Sequence, residues 1–155
     1  MRKNVYLCGM AKTNDTFDST SLLRYMFPKD MLKYFEITGA EEEHTGKYDE
    51  VNAEIVILHI YLDERDLRDK EWHDLQPNGF TEPRVVNDFP LRELKVCLHV
   101  RRRRWLAEDG GNVILNRLPL AAEGTSYSAE FADFLKGMVG YLPSDGQTPW
   151  TLLQD

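Results

Sequence analysis

A chain of 155 residues with 42% hydrophobic and 11% aromatic residues is large enough to bury one core of its own and too apolar to be disordered. Its two cysteines, Cys8 and Cys97, are too few for a disulfide scaffold or a cysteine zinc knuckle. The formal net charge of −7 argues against a nucleic-acid partner only if it is spread evenly, whereas residues 84–104 carry seven basic and two acidic side chains.

The N-terminal part of the chain predicts short helices. Residues 1–18 are polar without a clear period, and we expect a loose segment there. Thr20 or Ser21 can cap a short helix that runs to Phe27, because a hydroxyl accepts the unpaired amide hydrogens of a first turn. Pro28 is suited to begin a second helical turn. The apolar face of that turn consists of Met31, Leu32 and Phe35.

A polar stretch and a buried strand follow. Glu41, Glu42 and Glu43, between Gly39 and Gly46, predict an acidic loop. The segment from Ile55 to Leu62 is dense in β-branched residues, which predicts a strand buried on both faces. It is also the longest apolar run, and it is far too short to cross a bilayer. Because no secretory signal is recognisable either, we expect a cytoplasmic protein without a membrane partner.

The segment from Asp63 to Asp74 mixes acidic and basic side chains, which predicts a helix or a solvated connection. Its consecutive carboxylates could be interpreted as a metal site. A two-metal nuclease, however, gathers its carboxylates from separate elements. Pairing with the interleaved Arg65, Arg68 and Lys70 is the simpler interpretation, so we predict no metal site.

The next segment predicts turns and strands. Pro77, Asn78 and Gly79 predict a turn, and Arg84 to Asn87 a short strand. A longer strand is predicted from Lys95 to Leu106. Its alternation places Val96, Leu98, Val100, Arg102 and Arg104 on one face and Cys97, His99, Arg101, Arg103 and Trp105 on the other. Asp109, Gly110 and Gly111 predict a hairpin turn, and Val113 to Leu115 the returning strand.

The last predicted element is a helix. Ser126 or Ser128 can cap it, and its apolar stripe consists of Phe131, Phe134, Leu135 and Met138, with Gly140 as the end. Residues 141–155 predict a tail. The chain is therefore predicted to form one α+β domain over residues 19–140, with a small antiparallel, ribbon-like sheet, N-terminal helices and a C-terminal helix.

The run Arg101 to Arg104 is the most unusual feature of the sequence. Four adjacent guanidinium groups repel one another unless carboxylates or an anionic ligand lie beside them. Guanidinium groups match phosphate oxygens, and Trp105 beside them could stack on a base. A strand end neutralised by the surplus carboxylates of the chain is the alternative.

The sequence contains no recognisable catalytic motif. His44, His59, His73 and His99 are scattered without metal-ligand spacing, and His59 and His99 are expected to be packed or hydrogen-bonded within strands. Cys97 is expected to behave as a small buried hydrophobe. A glycine-rich phosphate loop and a nucleophile elbow are both missing from the sequence. We therefore predict a non-enzymatic protein without a cofactor.

Four segments together resemble a known family. They are NDFPLR at 87–92, KVCLHVRRRRWL at 95–106, AEGT at 122–125 and FADFLK at 131–136. In combination they are similar to the short N-terminal-region proteins of ISAon-type bacterial insertion sequences, over about residues 20–140. More distantly they resemble the zinc-ribbon head of ISL-group transposases, where Trp105 stands at the position of the first knuckle cysteine.

The resemblance implies a function in DNA transposition. Proteins of this kind accompany a separately encoded DDE-type transposase, so the expected partners are transposon-end DNA and that catalytic subunit. Carried over to this chain, the DNA-contacting residues would be Arg101 to Arg104 and Trp105, with Arg92 and Lys95 adding phosphate contacts. The missing knuckle cysteines imply a ribbon that holds no zinc.

Two hypotheses make different structural predictions. A DNA-binding subunit predicts that Arg101 to Arg104 form a continuous exposed positive patch. A subunit that docks on the transposase or another protein predicts that these arginines are ion-paired and that the stripe of the C-terminal helix is partly exposed. RNA binding would use the same arginines and stays open at this point.

Overall fold

The computed structural model describes residues 20–115 and 118–139 of the chain. Within these ranges the protein contains two β-sheets, two short N-terminal helices and one longer C-terminal helix, which confirms the predicted α+β class. The predicted loose segment 1–18, the tail 141–155 and the predicted helix end at Gly140 lie outside the described residues.

The elements are short except for the first two strands and the last helix. In chain order they are α1 (Thr20–Leu23), α2 (Met31–Tyr34), β1 (Phe35–Tyr48), β2 (Glu54–Glu64), β3 (Gln76–Phe80), β4 (Arg84–Leu91), β5 (Leu94–Arg101), β6 (Arg103–Leu106), β7 (Asn112–Val113) and α3 (Ala129–Val139). The segment between β2 and β3 is a connection with one 3-10 turn at Lys70–Trp72, which agrees with the second of the two predicted alternatives.

The first sheet has four strands in the order β1-β2-β5-β4, and its two central strands are parallel. The prediction that the segments 55–62 and 95–106 belong to an antiparallel sheet is therefore wrong for this pair. A parallel pair needs a long crossover between its strands, and the chain from residue 65 to residue 93 supplies it. The other two pairs, β1 with β2 and β4 with β5, are antiparallel.

The second sheet has three strands in the order β3-β6-β7. Arg102 connects its strand β6 to β5, the strand of the first sheet that precedes it in the chain. The segment 95–106 is thus two strands in two sheets rather than one strand. The break is held by a reciprocal pair of hydrogen bonds. The Arg102 amide donates to the Thr81 hydroxyl over 3.0 Å, and the Thr81 amide donates to the Arg102 carbonyl over 2.8 Å.

The main core lies on one face of the four-stranded sheet. The period-two pattern of β5 places Val96, Leu98 and Val100 in this core, as predicted. Phe35 and Leu62 from β1 and β2 are fully buried beside them. The helices α1 and α2 and the segment around Leu120 cover this face. The first sheet is therefore an apolar platform on one side and a polar surface on the other.

The predicted acidic loop at residues 39–46 is wrong, because these residues belong to the edge strand β1. The turn lies further along the chain, where the Asp49 carboxylate accepts the amides of Val51 and Ala53 over 3.0 and 2.8 Å. Three adjacent glutamates contradict ordinary strand propensity. An edge strand tolerates them because charged side chains there reach water and oppose pairing with other chains.

The predicted turn at Pro77, Asn78 and Gly79 is also wrong, since the three residues lie in β3. This strand is at the edge of its sheet, where a proline does not interrupt a ladder of hydrogen bonds. Its register shifts between Pro77 and Phe80, and Gly79 has a left-handed φ of 72° at that irregularity. The turn-forming residues therefore produce a bulge rather than a chain reversal.

Two predictions near the C-terminus are confirmed. Residues 109–111 form the turn between β6 and β7, which pair as an antiparallel hairpin. Helix α3 begins after Ser128, whose hydroxyl accepts the Phe131 amide over 3.3 Å as an N-cap. None of the helices described, α3 included, has the length and apolar character that crossing a membrane requires.

Candidate functional site

The arginines of the run 101–104 lie where the two sheets meet. The strand β2 ends beside them with Asp63 and Glu64, both of which are buried. We call this group of six residues, Arg101 to Arg104 with Asp63 and Glu64, the arginine junction. The sequence separates its two halves by almost forty residues, and the parallel pairing of β2 with β5 brings them together.

Arg101 makes a bidentate ion pair with Asp63. Its Nε and Nη2 donate to the two carboxylate oxygens over 2.7 and 2.5 Å, and these hydrogen bonds raise the pKa of the guanidinium. The Arg101 and Arg103 guanidinium carbons lie 5.0 and 4.9 Å from the centre of the Phe80 ring. Both cations therefore have a ring contact within the protein.

Arg102 is a largely enclosed cation of the junction, with a side chain that is 14% exposed. It donates to the Leu118 carbonyl, lies 3.6 Å from a Glu64 oxygen and has its guanidinium carbon 5.6 Å from the Phe35 ring centre. Burial lowers the pKa of Arg102, and the charge of Arg84 lowers it further, while Glu64 opposes both effects. The Glu64 charge thus compensates a buried guanidinium.

Glu64 and Arg103 are joined through backbone and side chain. The Glu64 carboxylate accepts the Arg103 amide over 2.8 Å, and the Glu64 carbonyl accepts Nε of Arg103 over 2.7 Å. The Glu64 side chain is only 8% exposed. Within the described ranges, Nε of Arg104 is buried without a hydrogen-bond partner. The run is thus mostly folded into the protein and does not form one continuous exposed patch.

Trp105 is also enclosed, with 2% of its surface exposed. The Arg68 guanidinium carbon lies 4.3 Å from its ring centre, and Asp66 holds Arg68 through two hydrogen bonds of 3.0 Å. These hydrogen bonds lower the pKa of Asp66. A stacked base would have to displace Arg68, so this conformation offers no free ring face for the predicted nucleic-acid contact.

The other two basic residues of the predicted DNA surface lie at the far end of the hairpin between β4 and β5. Arg92 is exposed in the turn, where it has a left-handed φ of 57°, and Lys95 is exposed at the start of β5. They lie at the opposite end of β5 from the junction. The structure therefore does not bring the seven predicted residues into one cluster.

Helix α3 is buried on only half of its predicted apolar stripe. Phe131 and Leu135 are buried, whereas Phe134 and Met138 are 50% and 40% exposed. Phe89, at the end of β4, is 39% exposed and lies with its ring centre 5.3 Å from that of Phe134. We call Phe89, Phe134 and Met138 the aromatic patch. It is an apolar surface of the kind found at protein interfaces.

A groove of about 340 Å³ adjoins this patch at Phe89. It is lined by the exposed Tyr25 and Met26 from the N-terminal segment and by the buried Asp88. Burial raises the pKa of Asp88, while the Ser128 hydroxyl, which donates to it over 2.6 Å, opposes that rise. The groove thus adds apolar contact area to the aromatic patch around two acidic groups, Asp88 and Glu130.

His59 and His99 occupy the opposite, polar face of the first sheet, and the prediction that they are packed or hydrogen-bonded within strands is confirmed. Their Nδ1 and Nε2 atoms are 2.8 Å apart. Cys97, on the same strand as His99, is half-buried and donates to the Asn87 amide oxygen over 3.3 Å. The spacing of these residues along the chain does not indicate the cluster, because it depends on the register between β2 and β5.

In the part of the chain that the structure describes, no three His, Cys, Asp or Glu side chains form a group that could hold a metal ion. The carboxylates of the segment 63–74 serve as ion-pair partners: Asp63 and Glu64 for the junction and Asp66 for Arg68. Asp66 thus pairs with Arg68, one of the predicted partners, whereas the prediction is wrong for Asp63 and Glu64, whose partners Arg101 and Arg102 lie almost forty residues along the chain.

Comparison with protein-family models, curated proteins and solved structures gave no match. The fold and the site can therefore be described only by their structural features. The chain is a mixed α+β domain whose arginine run ties two sheets together and whose exposed apolar surface lies on α3 and the end of β4.

Proposed function

We propose that this chain is a non-catalytic cytoplasmic subunit that supports DNA transposition by docking on a separately encoded DDE-type transposase. Its docking surface is the aromatic patch together with the adjoining groove. The kind of partner follows from the resemblance of four sequence segments to N-terminal-region proteins of insertion sequences. The mode of action follows from the geometry of the chain.

One observation carries the choice of docking over direct DNA binding. The cations of the run 101–104 are largely used within the protein, while an apolar surface of two aromatic rings and a thioether is left exposed. Aromatic and methionine side chains supply much of the binding energy at protein interfaces. Guanidinium groups already paired with carboxylates are poor ligands for phosphate, because the ion pairs would first have to break.

Substitution of Phe134 tests the docking surface. The full chain is co-expressed with the transposase subunit of the same insertion element, and the affinity of the purified pair is measured by calorimetry. We expect Phe134→Ser to weaken binding roughly 30-fold, the effect of removing an interface anchor worth about 2 kcal/mol. The free energy of unfolding should change little, since half of this ring already faces solvent.

Ile114→Ser is the matched control. Ile114 is similarly exposed, at 45%, but lies beside β7 in the other sheet, so its loss should leave the affinity unchanged. Equal losses for both variants would mean that binding is an unspecific hydrophobic effect. If no complex forms with the wild-type chain, or if Phe134→Ser binds as tightly as the wild type, the docking proposal is wrong.

Direct DNA binding is the second candidate, and one observation favours it. Arg84, Arg92 and Arg101 are exposed on the hairpin of β4 and β5, with Arg84 and Arg101 at its open end and Arg92 in its turn. Cations at both ends of one hairpin could contact a phosphate backbone, although Arg101 would have to share its charge with Asp63. This surface shares Arg92 and Arg101 with the predicted one but adds Arg84 and leaves out Lys95, Arg102 to Arg104 and Trp105.

A salt-titrated gel shift tests this candidate with terminal-repeat DNA, scrambled duplex and RNA of equal length. If three phosphate contacts form, the affinity of the wild-type chain should fall about 40-fold between about 50 and 200 mM salt. The affinity of the variant in which Arg84, Arg92 and Arg101 are all replaced by Ala should not change over this range of salt. Lys29→Ala is the control, since this exposed cation lies on the N-terminal segment. A wild-type chain that shifts no nucleic acid at low salt would exclude this candidate and leave docking unaffected.

A further inference from the structure

Two imidazole groups converge on the polar face of the first sheet. His59 on β2 and His99 on β5 lie on neighbouring parallel strands, where the register pairs His59 with Cys97 and Tyr61 with His99. The two histidines are therefore diagonal neighbours on one face. Their ring centres are 5.0 Å apart, and Nδ1 of His59 lies 2.8 Å from Nε2 of His99.

Each of the two rings also contacts a second side chain of the sheet. The other nitrogen of His59, Nε2, lies 2.8 Å from a Glu43 carboxylate oxygen on β1. The His99 ring stacks on Tyr61, with centres 4.8 Å apart and planes 26° apart, and the Tyr61 hydroxyl donates to Glu41. A histidine whose second nitrogen is bonded to a carboxylate has the arrangement that orients metal-ligating imidazoles in proteins.

We propose that His59 and His99 chelate one borderline divalent cation of the Zn²⁺, Ni²⁺ or Cu²⁺ class on this face. Neutral imidazole is a preferred ligand for these ions and a poor one for Mg²⁺ or Ca²⁺. Two imidazole nitrogens at about 2.0–2.1 Å from a tetrahedral Zn²⁺ are about 3.4 Å apart. Small rotations of the two rings would therefore open the observed 2.8 Å contact to that distance.

The ion takes the place of the proton that lies between the two nitrogens, and that proton moves to Nδ1 of His99. His59 then ligates through Nδ1 and donates its Nε2 hydrogen to Glu43, while His99 ligates through Nε2. Because no third His, Cys, Asp or Glu of the described residues joins them, water completes the coordination. It differs in place from the zinc position of the ribbon proteins, since that position corresponds to Trp105 on β6 in the other sheet.

Cys97 lies near the pair but is not a ligand in this arrangement. Its thiol donates to Asn87, and burial and the nearby charge of Glu43 raise its pKa. A thiol must lose its proton to bind such ions well. The site is therefore a two-histidine chelate, with Glu43 as a positioning residue.

Calorimetric titration of the full chain with ZnCl2 tests the proposal. We expect one ion per chain, and an affinity at least about tenfold lower in His59→Gln and in His99→Gln, since each variant keeps one imidazole ligand. Gln preserves a polar side chain on the strand, and circular dichroism on each variant checks that it folds. Glu43→Gln should weaken binding roughly tenfold, the usual effect of losing the carboxylate behind a ligating histidine.

His44→Gln is the matched control. His44 is also bonded to a glutamate, with Nδ1 3.1 Å from Glu54, but this nitrogen faces a carboxylate rather than a second imidazole. Its substitution should leave the affinity unchanged. The proposal is overturned if the folded chain binds no zinc at millimolar concentration, or if His59→Gln and His99→Gln bind as tightly as the wild type. This experiment is independent of the docking and DNA-binding proposals.

Discussion

Glu64→Gln is expected to lower the free energy of unfolding by about 3 kcal/mol, the lower end of the range for breaking a buried ion pair. Glu64 is nearly enclosed, and its carboxylate lies 3.6 Å from the Arg102 guanidinium. Gln keeps the volume and an acceptor for the Arg103 amide but removes the negative charge. The loss should be measured by urea unfolding of the full chain, with the denaturant dependence compared between variants.

Glu36→Gln is the control for this prediction. Glu36 also pairs with an arginine, Arg65, over 3.5 Å, but both side chains are about half exposed. Solvent screens such a pair, so the control should change stability by less than about 1 kcal/mol. A double variant, Glu64→Leu with Arg102→Met, should recover most of the loss, because an apolar pair needs no charge compensation. Equal effects for Glu64→Gln and Glu36→Gln would contradict the enclosed position of the junction.

Phe35→Ala is expected to destabilise the protein by about 4 kcal/mol, within the range for removing a large aromatic ring from a packed core. Phe35 is fully buried at the start of β1, and its ring faces the Arg102 guanidinium carbon at 5.6 Å. The substitution thus removes apolar contacts and leaves a cavity beside a buried cation. Thermal and urea unfolding should both show the loss, with the fold retained at low temperature.

Tyr48→Ala is the matched control, since it removes an aromatic ring from the other end of the same strand. Tyr48 is 61% exposed, so the loss should stay below about 1 kcal/mol, the usual span of strand preference. Together the two variants distinguish the buried beginning of β1 from its exposed end. If Tyr48→Ala costs as much as Phe35→Ala, the assignment of residues 35–48 to an edge strand with only its beginning in the core is wrong.

The docking and DNA-binding proposals are linked by the arginine junction. Its carboxylates reduce the positive field that the sequence alone predicts, and they also keep the junction folded. A DNA-binding state that used Arg102 would have to open this network and would destabilise the domain. Arg84 and Arg92 could contact phosphates without opening it, and the exposed Arg101 could do so by sharing its charge with Asp63, which is why the experiment on DNA relies on these three.

The elements that could be predicted from the sequence are those whose signals are local. The strand at 55–62, the glycine turn at 109–111, the Ser128 cap and the alternating core positions of β5 each depend on neighbouring residues only. Hydrophobic periodicity and capping chemistry act over a few residues, so a pattern within one segment is sufficient for them. The α+β class follows from these elements together.

The features that the sequence could not reveal all depend on which strands pair. The stretch of glutamates at 41–43 becomes a strand because β2 lies beside it, and Pro77 to Gly79 form a bulge because β6 does. The parallel register of β2 and β5 places Asp63 beside Arg101 and His59 beside His99. Local composition determined which side chains this protein has available. Long-range strand pairing decided which of them neutralise one another and which are left for a partner or an ion, because a charge is stabilised by what lies beside it in space.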